Sequence, residues 1–338
     1  MRVRILTPMP WSLSFGGLEQ QARTYVSRLK SELDIDFVSP QAFSDFDLLH
    51  VVGVSVETAR PGVYAKRKGK RLVVSPIMYR SENLLLLKCA EAVCRRLPVL
   101  NWFGLNRQAL DAADAILPNS QAEADQLRFL FRLPARKITV IRNGVDPRLF
   151  DGVDRDLFPQ TYGASDFVLS CAMIDPRKNT LALVRGFLES GIDGPLVVIG
   201  GARPFDVKYA EQVIHLMEEN RDRVIRVGAL PPGSPLLLSA YLNARVFALP
   251  SFLETPGLST LEAGLAGCQL VLGECPPVRE YLGDRAHYCD PRSTSSIADA
   301  LKKACRSGPA DRVSSFIRER YGWDRVVADL LQVYRRYE

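Results

Sequence analysis

The chain has 338 residues, of which 47% are hydrophobic and 24% charged, a balance suited to a globular protein with two domains of ordinary size. No apolar run approaches the ~18–20 residues a membrane-spanning helix needs, and the basic start soon meets Pro8, Pro10 and Trp11, so it reads as a first buried strand rather than a signal peptide. The net charge of +6 is uneven, because residues 60–107 hold eleven Lys/Arg against two acids, Glu82 and Glu91, which leaves the remainder slightly acidic. Seven cysteines, an odd count without C-x-x-C spacing, argue against a disulfide framework or a zinc site and for reduced cytoplasmic thiols.

In chain order, short apolar runs predict strands at Val3–Leu6, Leu48–Val52, Leu72–Val74, Ala115–Leu117 and Ile138–Ile141. A second series follows at Val168–Cys171, Leu196–Ile199, Val224–Val227, Val246–Leu249 and Leu270–Leu272. Helix-length segments such as Glu19–Leu33, Gln121–Phe131, Thr180–Glu189 and Tyr209–Asn220 lie between them. Near-continuous apolar strands alternating with helices imply parallel sheets covered on both faces, an α/β class with two doubly wound, Rossmann-like domains. Pro147, Gly152, Pro159 and Gly163 break the pattern. The expected division is therefore 1–146, a linker at 147–166, a second domain at 167–315, and a last segment, 316–338, ending in a helix with an apolar stripe. In such sheets ligands bind beyond the carboxyl ends of the strands, so a cleft faced by the two domains is the expected site.

The segment Glu254-Thr-Pro-Gly-Leu-Ser-Thr-Leu-Glu262-Ala-Gly follows a strand that ends at Leu249-Pro250. Pro256 and Gly257 suit a turn into a helix, on which Leu258, Leu261 and Leu265 form an apolar stripe. Backbone N–H groups at 257–260 would form an anion site, with Glu254 before the turn and Glu262 about one turn inside the helix. A diphosphate between the two carboxylates would leave one near a sugar and the other near a ribose. Two glutamates at an ordinary helix entry fit the same spacing.

The E-x7-E segment with its Ala-Gly continuation resembles the signature of the retaining GT-B glycosyltransferases of family 4, the glycogen-synthase-like group. Other segments resemble that family in its own order. They are Gly16-Gly17-Leu18-Glu19 (the glycine loop), Asp47-Leu-Leu-His50 (D-x-x-H), Ala113–Ser120, Ile141-Arg-Asn-Gly-Val-Asp146, Asp175-Pro-Arg-Lys178-Asn179 and Tyr321-Gly-Trp323. The resemblance spans nearly the whole chain. It implies a GT-B fold and transfer of a sugar from a nucleotide diphosphate-sugar, a UDP-sugar favoured, to a hydroxyl with retention, using no metal and no cofactor beyond the donor substrate. It implies Glu254 and Lys178 as the catalytic pair, with Lys178 neutralising the leaving diphosphate as a point charge. It further implies donor contacts at Gly16, Gly17, Arg177, Arg203, Gly257, Leu258, Ser259 and Glu262, the last accepting from the ribose hydroxyls.

Two positions depart from the family pattern. Met173 stands where the family usually has a second diphosphate-binding arginine, a role Arg177 or Arg203 could take, and Ile77 stands where it often has a histidine. These departures motivate an alternative, a catalytically weak nucleotide-sugar-binding or partner subunit. Three D-x-D triplets, Asp34–Asp36, Asp45–Asp47 and Asp154–Asp156, are read as chance rather than as metal sites, and His215 as a packing residue. The basic stretch 60–107, with Leu84–Leu87 and Trp102-Phe103 interleaved, suits an anionic membrane surface and a lipid-linked acceptor, and places the protein at the inner face of a membrane. A solvated helix with core-facing leucines fits the same letters, and no nucleic-acid module accompanies the charge.

Overall fold

A computed structural model describes residues 1–8, 16–39, 45–96, 101–202, 206–255, 257–308 and 310–338. They form two units, residues 1–143 with 324–338, and residues 144–323. The first contains β1 (Arg2–Leu6), α1 (Gly17–Leu29), β2 (Asp34–Phe37), β3 (Leu48–Val52), α2 (Val56–Arg67), β4 (Arg71–Ser75), α3 (Leu84–Cys94), α4 (Trp102–Ala112), β5 (Ala115–Ile116) and α5 (Gln121–Phe131). Its sheet is parallel, in the order β2-β1-β3-β4-β5, with the wholly buried LLHVV strand β3 at the centre.

Helix α1 begins at Gly17, two residues before the pattern suggests, because the Glu19 carboxylate accepts from the Gly16 amide at 2.9 Å. It stops at Leu29, its last core residue, and not at Leu33; the amides of Glu32 and Leu33 both turn back to the Leu29 carbonyl. The strand expected at Ile138–Ile141 is not formed. That segment runs beside β5 with a single bridge, Ile116 to Ile138, and donates from Thr139 to Ile116 and from Ile141 to Pro118. β5 is only two residues long, and Pro118 has no amide to return a bond, so the ladder ends there.

The D-x-x-H residues are structural. Asp47 accepts from the Arg2 backbone amide at 2.8 Å and from its guanidinium at 3.0 Å, which holds the carboxyl down at about 2. His50 sits in the core with Nδ1 2.6 Å from the Tyr334 hydroxyl and Nε2 2.9 Å from Ser75 Oγ, its ring stacked on Tyr25; burial pushes its pKa down to about 3. Tyr334 lies on α14 (Trp323–Arg335), which from Asp324 onward belongs to this first unit.

On α3 the leucines divide. Leu87 is buried, whereas Leu85 and Leu86 are 69% and 70% exposed, and Val93 is exposed on the same helix, so the core-facing reading holds for Leu87 alone. Trp102 and Phe103, expected to join an outward face, pack instead against the first unit's core. Part of the basic stretch is also structural. Lys66 and Arg71 pair with Asp114 (2.7 and 3.6 Å), and Arg107 pairs with the buried Glu91. No helix among the described residues is long and apolar enough to cross a membrane.

The second unit contains α6 (Leu157–Tyr162), β6 (Phe167–Cys171), α7 (Thr180–Ser190), β7 (Leu196–Ile199), α8 (Val207–Glu219), β8 (Val224–Gly228), α9 (Pro235–Asn243) and β9 (Ala244–Leu249). It continues with α10 (Leu258–Leu265), β10 (Gln269–Gly273), α11 (Pro276–Leu282), β11 (His287–Cys289), α12 (Thr294–Arg306) and α13 (Asp311–Arg320). This sheet is also parallel, in the order β11-β10-β9-β6-β7-β8. Residues 147–166 fall within this unit, where Phe158 of α6 packs against Phe167 of β6.

Candidate active site

The chain leaves β6 toward β7 on one side, and β9 lies on the other, so the carboxyl ends of β6 and β9 flank the point where strand order reverses. In open α/β sheets such a reversal point, beyond the carboxyl ends of the strands, is where ligands bind. The loop after β6 carries Lys178, and the loop after β9 carries Glu254.

Three contacts staple the two loops together. The Phe252 amide donates to the Arg177 carbonyl at 2.9 Å, and Arg177 Nη1 donates to the Leu253 carbonyl at 3.2 Å. Asn179, in the left-handed region at φ 62°, donates from Nδ2 to the carbonyls of Pro250 (3.2 Å) and Pro291 (2.7 Å). Buried Asp175 closes the turn by accepting from the Lys178 amide at 2.9 Å. The turn presents the Lys178 ammonium to Glu254 Oε2 in an ion pair whose side chains are only 13% and 11% exposed.

Gly257 is the N-cap of α10, and among the described residues no side chain caps that helix, so the amides of Leu258 and Ser259 open its first turn. A Cβ at Gly257 would stand 3.2 Å from Glu254 Oε1, tight enough to displace the carboxylate. Glu262, half-buried on α10, has its carboxyl pushed up by burial, with Tyr241 opposing that shift. Cys171, the last residue of β6, is pushed up to about 12 by burial, and feels Tyr241, Glu262 and Lys178. The structure thus gathers Lys178, Glu254 and Glu262 around the ends of β6 and β9.

The remaining sequence candidates lie as follows. Gly16 caps α1 and Gly17 opens it, both in the first unit. Arg203 and Pro256 lie outside the described residues. Met173 is half-buried. Arg177 is committed through its guanidinium to the Leu253 carbonyl while keeping 42% of its side chain exposed. Ile77 adopts φ 49°, an uncommon setting for a β-branched residue, held by the next amide, Met78, which donates to buried Glu123 at 2.6 Å. Gly200, unassigned in the sequence, is explained by packing, because a Cβ there would collide with the Ala172 carbonyl. His215 does not pack inward; it faces solvent beside Glu219 at 3.2 Å. Among the triplet aspartates, Asp34 pairs with Arg4, and Asp45 and Asp47 pair with Arg2. The Asp154 carboxylate accepts from the Asp156 amide.

Sequence reasoning missed Asn179 as the clasp between the loops and Tyr241 as a neighbour of Glu262. The left-handed Asn before a helix carries a weak local signal. Tyr241 carries none, since its relation to Glu262 exists only in space.

The family described as Glycosyltransferase Family 4 matches residues 8–149, and that described as Glycosyl transferases group 1 matches residues 159–320. The chain belongs to the family 4 glycosyltransferases. Among curated relatives, it is similar to the D-inositol 3-phosphate glycosyltransferase of Mycolicibacterium smegmatis, 28% identical over 272 residues, which covers 77% of this chain and 62% of the relative. That of Actinosynnema mirum is 29% identical over 250 residues, covering 67% and 58%. The matched stretch thus spans less than two thirds of these relatives' length. Among solved structures, Anabaena Alr3699/HepE in complex with UDP and glucose superposes with a TM-score of 0.76 at 15% identity, covering 99% of this chain and 100% of that one. Sucrose-phosphate synthase from Thermosynechococcus elongatus also gives 0.76 at 15% identity, covering 99% of each chain. At that identity the likeness carries the fold alone, the two-domain, Rossmann-like GT-B architecture.

Proposed function

We propose that the chain moves a sugar from a nucleoside diphosphate-sugar, a UDP-sugar favoured, to a hydroxyl acceptor, with retention and without a metal ion. The Lys178–Glu254 pair at the point of strand-order reversal, beside the uncapped start of α10, carries this reading. An arriving diphosphate exchanges one anion for another on the Lys178 ammonium, and Glu254 is then free to accept from a sugar hydroxyl. The amides of Gly257, Leu258 and Ser259 face the same anion, and Glu262 accepts from the ribose. Arg177, through the donors it does not spend on Leu253, takes part of the charge that Met173 cannot. The family resemblance also assigns donor contacts to Gly16 and Gly17, where the lack of a Cβ permits close backbone approach.

As the bond between the anomeric carbon and the phosphate oxygen breaks, charge grows on the leaving diphosphate, and Lys178 stabilises it more than it stabilises the ground state. The acceptor oxygen bonds to the anomeric carbon from the same face, and its proton passes to the departing phosphate oxygen. Retention and metal independence rest on the family resemblance. A melting-temperature panel of UDP-, GDP-, ADP- and dTDP-sugars in the presence of EDTA tests donor binding, and nucleotide release tests turnover. A stabilised chain that never releases sugar would favour the binding-subunit alternative; no stabilisation by any donor would end the reading.

The acceptor belongs to the first unit in this proposal. The curated relatives' name adds a phosphorylated polyol to the acceptors to be tried. The exposed stripe of α3 favours a membrane-associated acceptor as a second reading, since Leu85, Leu86 and Val93 stand out beside exposed Arg95 and Arg96. Seven free thiols fit a reducing compartment, the cytoplasmic face of such a membrane.

A further inference from the structure

Tyr241 on α9 is 1% exposed, and its hydroxyl is completely buried without a hydrogen bond to any described residue. Burying a hydroxyl without a partner costs free energy, and phenylalanine would fill the same space without that cost. The orphan is not a result of loose packing. The ring is held between Phe150 and Phe247, with centroids at 6.3 and 6.2 Å, and the Tyr241 carbonyl accepts from the Cys268 thiol at 3.3 Å. Packing therefore fixes where the hydroxyl is aimed.

The polar groups acting on that hydroxyl are the Glu262 carboxylate and the Cys171 thiol. Tyr241 shares one core with Leu261 and Ala263, the residues on either side of Glu262, and Cys171 packs against that core. A ring braced by its neighbours, whose hydroxyl acts on a half-buried carboxylate, is placed to give that carboxylate a charge-assisted bond.

We propose that Tyr241 is a positioning residue, donating to Glu262 and fixing its carboxylate to receive the two ribose hydroxyls of the donor nucleotide. This rests on the donor-binding reading above and assigns a residue which that reading leaves unused. One Glu262 oxygen accepts from Tyr241, and the remaining lone pairs face the ribose diol. On this reading the hydroxyl contributes to nucleotide recognition and not to the stability of the fold.

The test uses the full chain, with UDP and 2′,3′-dideoxy-UDP as probes in calorimetric titrations, alongside melting curves and steady-state kinetics. Tyr241→Phe is expected to weaken UDP roughly tenfold, the value of one hydrogen bond to a charged group, while changing dideoxy-UDP less than twofold. The donor KM rises by the same factor with kcat nearly constant, and the melting temperature holds or rises. Glu262→Gln gives the same discrimination between probes, and the double variant loses no more than the worse single one. Loss of UDP affinity in Glu262→Gln but not in Tyr241→Phe overturns the positioning role and leaves the donor reading standing. UDP affinity unchanged in Glu262→Gln overturns both. A lowered melting temperature with equal losses for the two probes in Tyr241→Phe marks the phenol as packing and also overturns the proposal.

Discussion

Replacing Lys178 by methionine removes the cation from the donor site while keeping most of the side chain's apolar length. Two losses follow, and they are separable. Deleting one partner of a fully buried ion pair costs about 3–5 kcal/mol, because the other charge is left without compensation. Here the two side chains keep 13% and 11% of their exposure, so partial hydration of Glu254 brings the expected cost to about 2 kcal/mol. For a domain of this size that lowers the melting temperature by roughly 4–8 °C. Catalysis should suffer more, with kcat falling roughly 10²–10³-fold, the range seen when one preorganised group facing developing charge is removed. The double variant Lys178→Met/Glu254→Gln separates the two effects. It should recover most of the lost stability, since no buried charge stays unpaired, and none of the lost turnover. Melting curves and nucleotide release under saturating donor measure both. If Lys178→Met kept kcat within threefold of the parent, the ammonium would have no part in stabilising the leaving group.

His50, held at about 3 in the fold against an ordinary value of about 6.5, contributes stability that is complete above pH 6.5 and is lost as the pH falls toward 3, because only the unfolded chain takes up the proton. Urea unfolding followed through the first unit should lose about 2 kcal/mol between pH 7 and pH 5, and His50→Gln should flatten that slope; an unchanged slope would assign the loss to other groups. Gly257→Ala places a methyl group against the Glu254 carboxylate at a φ alanine tolerates, so donor affinity should fall roughly tenfold with circular dichroism unchanged. Parent-like affinity would show that the carboxylate can shift without consequence. Leu85→Asp with Leu86→Asp should abolish co-sedimentation with anionic vesicles and leave the melting temperature within about 2 °C, because both side chains already face solvent. Binding that ignores anionic lipid content would remove the membrane reading.

Most of the strands, and their place in parallel sheets, follow from letters alone, because near-continuous apolar runs such as Leu48–Val52 have no stable place except between two helical layers. The strand at 138–141 failed for a local reason, Pro118 in the neighbouring segment, which a reading of 138–141 alone does not reveal. Leu84–Leu87 shows a different limit. An unbroken apolar run on a helix carries no phase, so only the packed structure decides that Leu87 turns inward and Leu85 and Leu86 outward. At the site, each glutamate and Lys178 could be named from its place after a strand. That Lys178 meets Glu254 depends on Arg177 and Asn179 clasping two loops more than seventy residues apart, and spacing carries no trace of that contact.

The hydrogen bond between His50 and Tyr334 has a consequence for biosynthesis. Leu330, Val333 and Tyr334 complete the interior of a unit that, apart from residues 324–338, lies wholly before position 144. On the ribosome, the later-encoded unit has its full complement of residues before the earlier-encoded one does. The nascent amino-terminal half waits, with the pocket for Tyr334 unfilled, until translation reaches α14. Chaperone demand should therefore fall on the first half of the chain, the reverse of the amino-terminus-first order that a linear pair of domains would follow.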